Sequence, residues 1–376
     1  MKYVNPVIHA DYSDPDVIRV GDDFYMVASS FNHVPGVPVL HSKNLVEWRI
    51  INYVLPKLPF ERFNSVQHGC GAWAPSIRYR NGKFYCLIPF PDEGIYVSET
   101  DDIYGKWSPL RALVVGEGLE DPCPIWADGK CYVVFAFAKS RAGINSQLAI
   151  FETDEELTRA DNQYTVFYDG HDISPKIEGP KFYKRGKYFY ILAPAGGVKT
   201  GWQVALRSTD IYGPYETKII LTQGDTEING PHQGALVDLD DEGERWAFLH
   251  FQDKGAYGRV VHLQPAVWRD GWIYCGDVGD DNLPGSPVAE GEYPVDIQTG
   301  YALEPSDEFD GEKLSLMWQT PANPLSSWYS FKHGLKLNCV YYGENALSDM
   351  PQLFMQKIPF ANFSVKAKCR LNLVND

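Results

Sequence analysis

One phrase is written five times along this 376-residue chain. It reads "DPDVIRVGDDFYMVAS" from Asp14, "APSIRYRNGKFYCLIP" from Ala74, "DPCPIWADGKCYVVFA" from Asp121 and "GPKFYKRGKYFYILAP" from Gly179, directly after Glu178. A looser fifth copy, "PHQGALVDLDDEGERWAFLH", starts at Pro231. Each copy has a proline, a short apolar run, a Gly- or Asp-containing turn and an aromatic-rich run. The prolines Pro15, Pro75, Pro122, Pro180 and Pro231 are spaced by 60, 47, 58 and 51 residues. Two apolar runs around "VGDDF", "RNGKF", "ADGKC" or "KRGKY" make a β-hairpin, because tight hairpins need Gly, Asn or Asp at the turn. A third run follows each copy ("VPVLHSK", "GIYVSET", "QLAIFET", "WQVALRST", "RVVHLQP"), and a fourth comes after a short connection. Four antiparallel strands repeated five times near a 50-residue period predict an all-β fold, a five-bladed β-propeller over residues 1–280. Helical periodicity is lacking, with "DEELTRA" near residue 154 offering one or two turns at most.

A propeller lines its central channel with the first strand of every blade. Equivalent strand beginnings therefore form a ring, here expected to consist of Asp14, Ala74, Asp121, Glu178 and His232. A lone Asp-Pro is ordinarily a turn, and proline opens a strand without losing a ladder donor. Three carboxylates in register are a different matter, since clustered ionisable groups are the signature of a site. Like charges brought together force at least one carboxyl to hold its proton. One protonated and one ionised carboxyl are what acid/base glycoside hydrolysis uses, with inversion or retention decided by their separation. Sequence does not give that separation. Sugar faces stack on aromatic rings, which points to Phe31, with His33 beside it, in "SSFNHVPGV" and to Trp73 in "GCGAWAPS". Arg259, at the start of the third strand of blade five, is expected to hold a hydroxyl or carboxylate. His232 at the axis is a candidate for a cation, bound directly or through water. Asp16 has no counterpart in the other copies and is left out of the site, although strand alternation would aim it with Asp14.

These residues resemble glycoside hydrolase family 43, the five-bladed β-xylosidases and α-L-arabinofuranosidases. The likeness runs over about residues 4–280 through "NPVIHADYSDPDVIRVGDDFYMVASSF", "GAWAPSIRYRNGKFY", "LEDPCPIWADGKCYVV", "IEGPKFYKRGKYFYIL" and "GPHQGALVD". It implies Asp14 as general base, Glu178 as general acid, and Asp121 as the carboxylate that orients the acid and adjusts its pKa. It also implies inversion, and a largely water-ligated Ca2+ associated with His232. The related fructan-acting propellers carry "NDPNG", "RDP" and "EC", where this chain reads "SDPDV", "EDPCP" and "EGPKF". The expected activity is exo-hydrolysis releasing terminal xylose or arabinofuranose from oligosaccharides. The alternative is a non-catalytic sugar-binding propeller, which would not need three facing carboxylates.

Residues 281–305, rich in Gly, Pro and acids, read as a linker. Residues 306–376 resemble the first part of the concanavalin-like β-sandwich of the xylosidase branch, so a partial C-terminal sandwich is expected, with uncovered apolar faces that dock on the propeller or recruit a partner. The formal net charge of -15 argues against nucleic acid and against an anionic membrane surface as partners. Seven cysteines without a CxxC pair read as reduced thiols. With no signal-like N-terminus and no apolar run of membrane length, a cytoplasmic address is the expectation. Oligomeric state is left open.

Overall fold

The computed structural model describes residues 1–372 apart from 159–161, 280, 282, 305 and 342–345. Part of the "DEELTRA" segment and the last four residues of the expected sandwich fall outside it. Five four-stranded antiparallel sheets follow one another along the chain, each in sequence order. Blade one is Asp16–Val20, Asp23–Val27, Gly36–Ser42 and Arg49–Leu55. Blade two runs from Ser76–Arg80 to Arg111–Val115, blade three from Leu119–Ala127 to Thr165–Asp169, blade four from Lys181–Arg185 to Glu216–Leu221, and blade five from His232–Asp238 to Trp272–Cys275.

The seams between blades explain why second strands such as "KFYCLIPF" are apolar throughout rather than alternating. Successive side chains of a strand point to opposite faces, and each face here meets another blade. In blade one, Phe24 and Met26 pack with Ala235, Leu249 and Leu263 of blade five. Tyr25 and Val27, their alternates, pack with Ile77, Phe84 and Cys86 of blade two. The same division gives one apolar cluster at each of the other three seams. Each fully buried aliphatic or aromatic side chain contributes about 1.5–3 kcal/mol of transfer free energy, so the seams hold the ring of blades together.

The N-terminal residues lace blade five to the linker. Tyr3 Oη and Asn5 Nδ2 both donate to the Leu263 carbonyl, and Lys2–Val4 pairs with Glu290–Glu292. The 306–372 segment docks on blade one. Val34 and Thr320 exchange backbone hydrogen bonds, and Asn323 bonds both the N–H and the carbonyl of Leu58. Within this segment the described residues form one hairpin, Tyr329–Phe331 with Leu335–Leu337. "FSVKAKC" is not a strand, Val365 is exposed, and among the described residues none pairs with this stretch.

Candidate active site

The ladders fix which residues are equivalent. The first strand of each blade pairs with the second at Asp16↔Val27, Ser76↔Leu87, Cys123↔Val134, Lys181↔Leu192 and Gly234↔His250. Two residues upstream stand Asp14, Ala74, Asp121, Gly179 and His232. This corrects the expected ring at one place: Gly179, not Glu178, holds the position of Asp14. The backbone gives the reason. Asp14, Asp121 and Gly179 share a left-handed φ of 56°, 58° and 59°, and in blade four a glycine takes that conformation. A Cβ at Gly179 would stand 2.8 Å from the side chain of Gln233. Glu178 is therefore set one residue back, where its side chain is 35% exposed, whereas Asp14 and Asp121 are buried.

Asp14 is held by two donors. Ser29 Oγ donates to its Oδ2 at 2.5 Å and Arg259 Nη1 to its Oδ1 at 3.0 Å. Arg259 is itself steadied by the Phe251 ring beneath its guanidinium, 4.6 Å away. Asp121 Oδ2 accepts the Gly179 N–H at 2.7 Å, and its Oδ1 accepts Gln233 Nε2 at 3.3 Å. The first of these fixes the peptide that follows Glu178, so Asp121 positions the acid through the backbone. Glu178 Oε1 lies 2.7 Å from His232 Nε2. Burial first, then the charges of Glu178 and Asp14, push the Asp121 carboxyl up to about 7, against the pull of the Gly179 N–H and of Lys181.

Phe31 and Trp73 stand on touching loops. Phe31 and Ala72 exchange backbone hydrogen bonds, and the approach is so close that a Cβ at Gly71 would meet the Phe31 carbonyl at 1.8 Å. Trp73 donates its indole N–H to the Gly69 carbonyl at 2.7 Å and carries the Arg141 guanidinium 5.2 Å above its ring. His33 is pushed down to about 4 by burial, then by Lys357. Asp16 does not aim with Asp14. It is fully buried and accepts from Arg78 Nη1 at 2.7 Å and from the Ile77 N–H, a bond between blades one and two.

Sequence reasoning missed three participants. Ser29 and Gln233 carry no motif, and only the three-dimensional neighbourhood finds them. Glu120 was findable: it precedes Asp121-Pro122 as Glu178 precedes Gly179-Pro180. Burial first, then Asp121, Glu178 and Asp14, hold its carboxyl well above the usual carboxylate range.

His232 is the residue linked to a cation, and its surroundings test that idea. With Nε2 engaged by Glu178, Nδ1 is a buried nitrogen without a partner. Among the described residues no group of three or more His, Cys, Asp or Glu is arranged to hold a metal. Calcium takes six to eight oxygen ligands, so this donor set fits only an ion that is almost entirely hydrated.

The chain matches the sequence model of glycosyl hydrolases family 43 over residues 3–273, and that of the β-xylosidase C-terminal concanavalin A-like domain over residues 306–376. It is 42% identical to a Xylanibacter ruminicola protein named "Putative beta-xylosidase", over 85% of this chain and 59% of that one. A β-xylosidase of Formosa agariphila is 31% identical over 87% of this chain and 60% of its own length. The non-reducing end α-L-arabinofuranosidase BoGH43B of Bacteroides ovatus is 31% identical over 98% and 70%. Among solved structures, xylan β-1,4-xylosidase from Bacillus halodurans superposes with a TM-score of 0.80 at 25% identity, covering 95% of this chain and 72% of that one. The chain thus spans about three-fifths of the length of the first two of these relatives.

Proposed function

The chain belongs to glycosyl hydrolase family 43, and on that premise we propose that it is an inverting exo-glycosidase releasing terminal xylose, arabinofuranose or both from xylo- and arabino-oligosaccharides. The observation that carries the reading is the convergence of Asp14, Asp121 and Glu178 at one end of the channel, close enough for the first and third to raise the second. In this reading Asp14, oriented by Ser29 and Arg259, takes the proton from the attacking water. Glu178, with one oxygen against His232 and an exposed side chain, gives its proton to the departing oxygen. Asp121 stays out of the proton transfers and fixes the Glu178–Gly179 peptide. Phe31 and Trp73 supply the faces on which the sugar stacks. Relatives named as β-xylosidase and one named as a non-reducing end α-L-arabinofuranosidase lend support to the two candidate sugars.

A calcium ion belongs to the proposal in hydrated form only, at the propeller axis in the neighbourhood of His232, where it would offset the mutual repulsion of the carboxylates. A cytoplasmic address, with imported oligosaccharides as substrate, accords with seven cysteines that stand free. The test is turnover of 4-nitrophenyl β-D-xylopyranoside and 4-nitrophenyl α-L-arabinofuranoside by the chain and by Asp14→Asn and Glu178→Gln. Turnover by the chain and none by either folded variant is the expected result. Tight sugar binding without turnover would instead make it a sugar-binding propeller.

A further inference from the structure

Glu120 is a carboxyl for which the mechanism above has no use. It stands one residue before Asp121, the place that Trp73 holds in blade two and Glu178 holds in blade four. Of those side chains, Glu178 reaches the axial His232, and the backbone of Glu120, paired opposite Ala136, sets it at the equivalent place in blade three. It is 8% exposed, and among the described residues no protein group hydrogen-bonds its carboxyl. A carboxyl this buried carries a free-energy penalty until something pairs with it. Its charged surroundings are Asp121, Glu178 and Asp14 on one side and Arg141 on the other. Arg141 is bound to Asp92 and to Cys70 Sγ while it stacks on Trp73. Glu120 is thus a buried, unpartnered carboxyl beside the three acids, where the glycosyl unit rests if the proposed function holds.

We infer that Glu120 is a substrate-contacting residue that donates its carboxyl O–H to a hydroxyl of the bound glycosyl unit, and so makes the site selective for sugars carrying that hydroxyl. The inference rests on the glycosidase reading for its substrate class. Burial first, then the neighbouring Asp121, Glu178 and Asp14, favours the protonated form of this carboxyl, and a protonated acid is a donor where an ionised one is not. No proton is transferred by Glu120, and the bond serves recognition of the hydroxyl rather than the chemical step.

The test compares the chain with Glu120→Met, which keeps the volume and removes the donor, and with Glu120→Gln, which keeps an N–H donor in place. Melting temperatures establish that each variant is folded. Substrates are whichever of the two nitrophenyl glycosides is turned over, together with its monodeoxy counterparts. Removing one particular hydroxyl is expected to cost the chain about tenfold or more in kcat/KM. In Glu120→Met that penalty is expected to shrink below about twofold, with the parent glycoside about tenfold poorer, while Glu120→Gln retains the penalty. Identical deoxy penalties in the chain and in Glu120→Met would overturn the inference. So would abolition of all turnover by Glu120→Gln at unchanged melting temperature, which would make Glu120 an ionised catalytic group. Should the chain hydrolyse neither parent glycoside, the glycosidase reading has failed instead. Saturation-transfer NMR with free xylose, arabinose and their monodeoxy forms then decides Glu120 alone: equal response of the chain and Glu120→Met to the loss of every hydroxyl refutes it.

Discussion

At the scale of single residues, the site depends on carboxyls kept in different states by different neighbours. Asp14 meets a guanidinium and a hydroxyl, Asp121 a backbone N–H and an amide beside other carboxyls, and Glu120 is buried near those carboxyls with no hydrogen-bond partner among the described residues. A folded-state pKa near 7 for Asp121, against 3.8 when unfolded, has a consequence for stability. Between those values the native chain binds the extra proton, so stability is highest at the acid end of the window and falls as pH rises through about 7. Asp121→Asn lacks that titration. Its melting temperature relative to the parent is therefore expected to be more favourable at pH 8 than at pH 5, and thermal melts at the two pH values check this. A difference of opposite sign would mean that Asp121 ionises easily. At this scale the sequence was informative wherever chemistry was carried by a repeated phrase. Asp14, Asp121 and His232 were legible because a repeat turns sequence position into ring position. Ser29 and Gln233 were not, because a serine or glutamine acquires its role only from the carboxyl it happens to face.

The hairpins were readable from turn residues and from runs such as "KFYCLIPF", but the one-residue offset at Glu178 was not, since "EGP" and "DP" look interchangeable until the ladder is known. The offset hangs on Gly179. Gly179→Ala would introduce a Cβ at a left-handed φ and 2.8 Å from Gln233. A loss of roughly 1–3 kcal/mol in stability, together with a drop in kcat larger than any change in KM, is expected because Glu178 moves with that peptide. Denaturant unfolding and steady-state kinetics on the same preparation measure both. The docked segment offers a second test. Asn323→Ala would leave the Leu58 N–H and carbonyl without their side-chain partner in a buried setting, at about 2–4 kcal/mol. Urea unfolding monitored beside blade one should show it, and an unchanged midpoint would mean that the segment is held by other contacts.

For the whole molecule, the arrangement of blades was legible from period and composition, and the partial concanavalin-like domain after residue 305 from its resemblance, whereas which of its runs would pair was not. Its strand-like runs have the right residue types, but a strand exists only where a partner presents a ladder, and among the described residues one hairpin finds it. Exposed Leu325, Val340, Tyr341, Phe360, Phe363 and Val365 lie on this segment, and the curated β-xylosidase relatives are longer than this chain. The calcium ion proposed for the axis would be held mainly by water and so contribute little binding energy; EDTA is therefore expected to shift the melting temperature by no more than a degree or two, and added calcium to restore it. A collapse of the melt on chelation would show a tighter site than His232 provides. The central claim is that Asp14 and Glu178 hydrolyse a terminal pentoside by direct attack of water. An NMR time course of 4-nitrophenyl β-D-xylopyranoside and 4-nitrophenyl α-L-arabinofuranoside hydrolysis reads the first-formed anomer before mutarotation. The account predicts α-xylose or β-arabinofuranose as the initial product, absent in Asp14→Asn and Glu178→Gln. An initial product of retained configuration, or normal turnover by either variant, would contradict it.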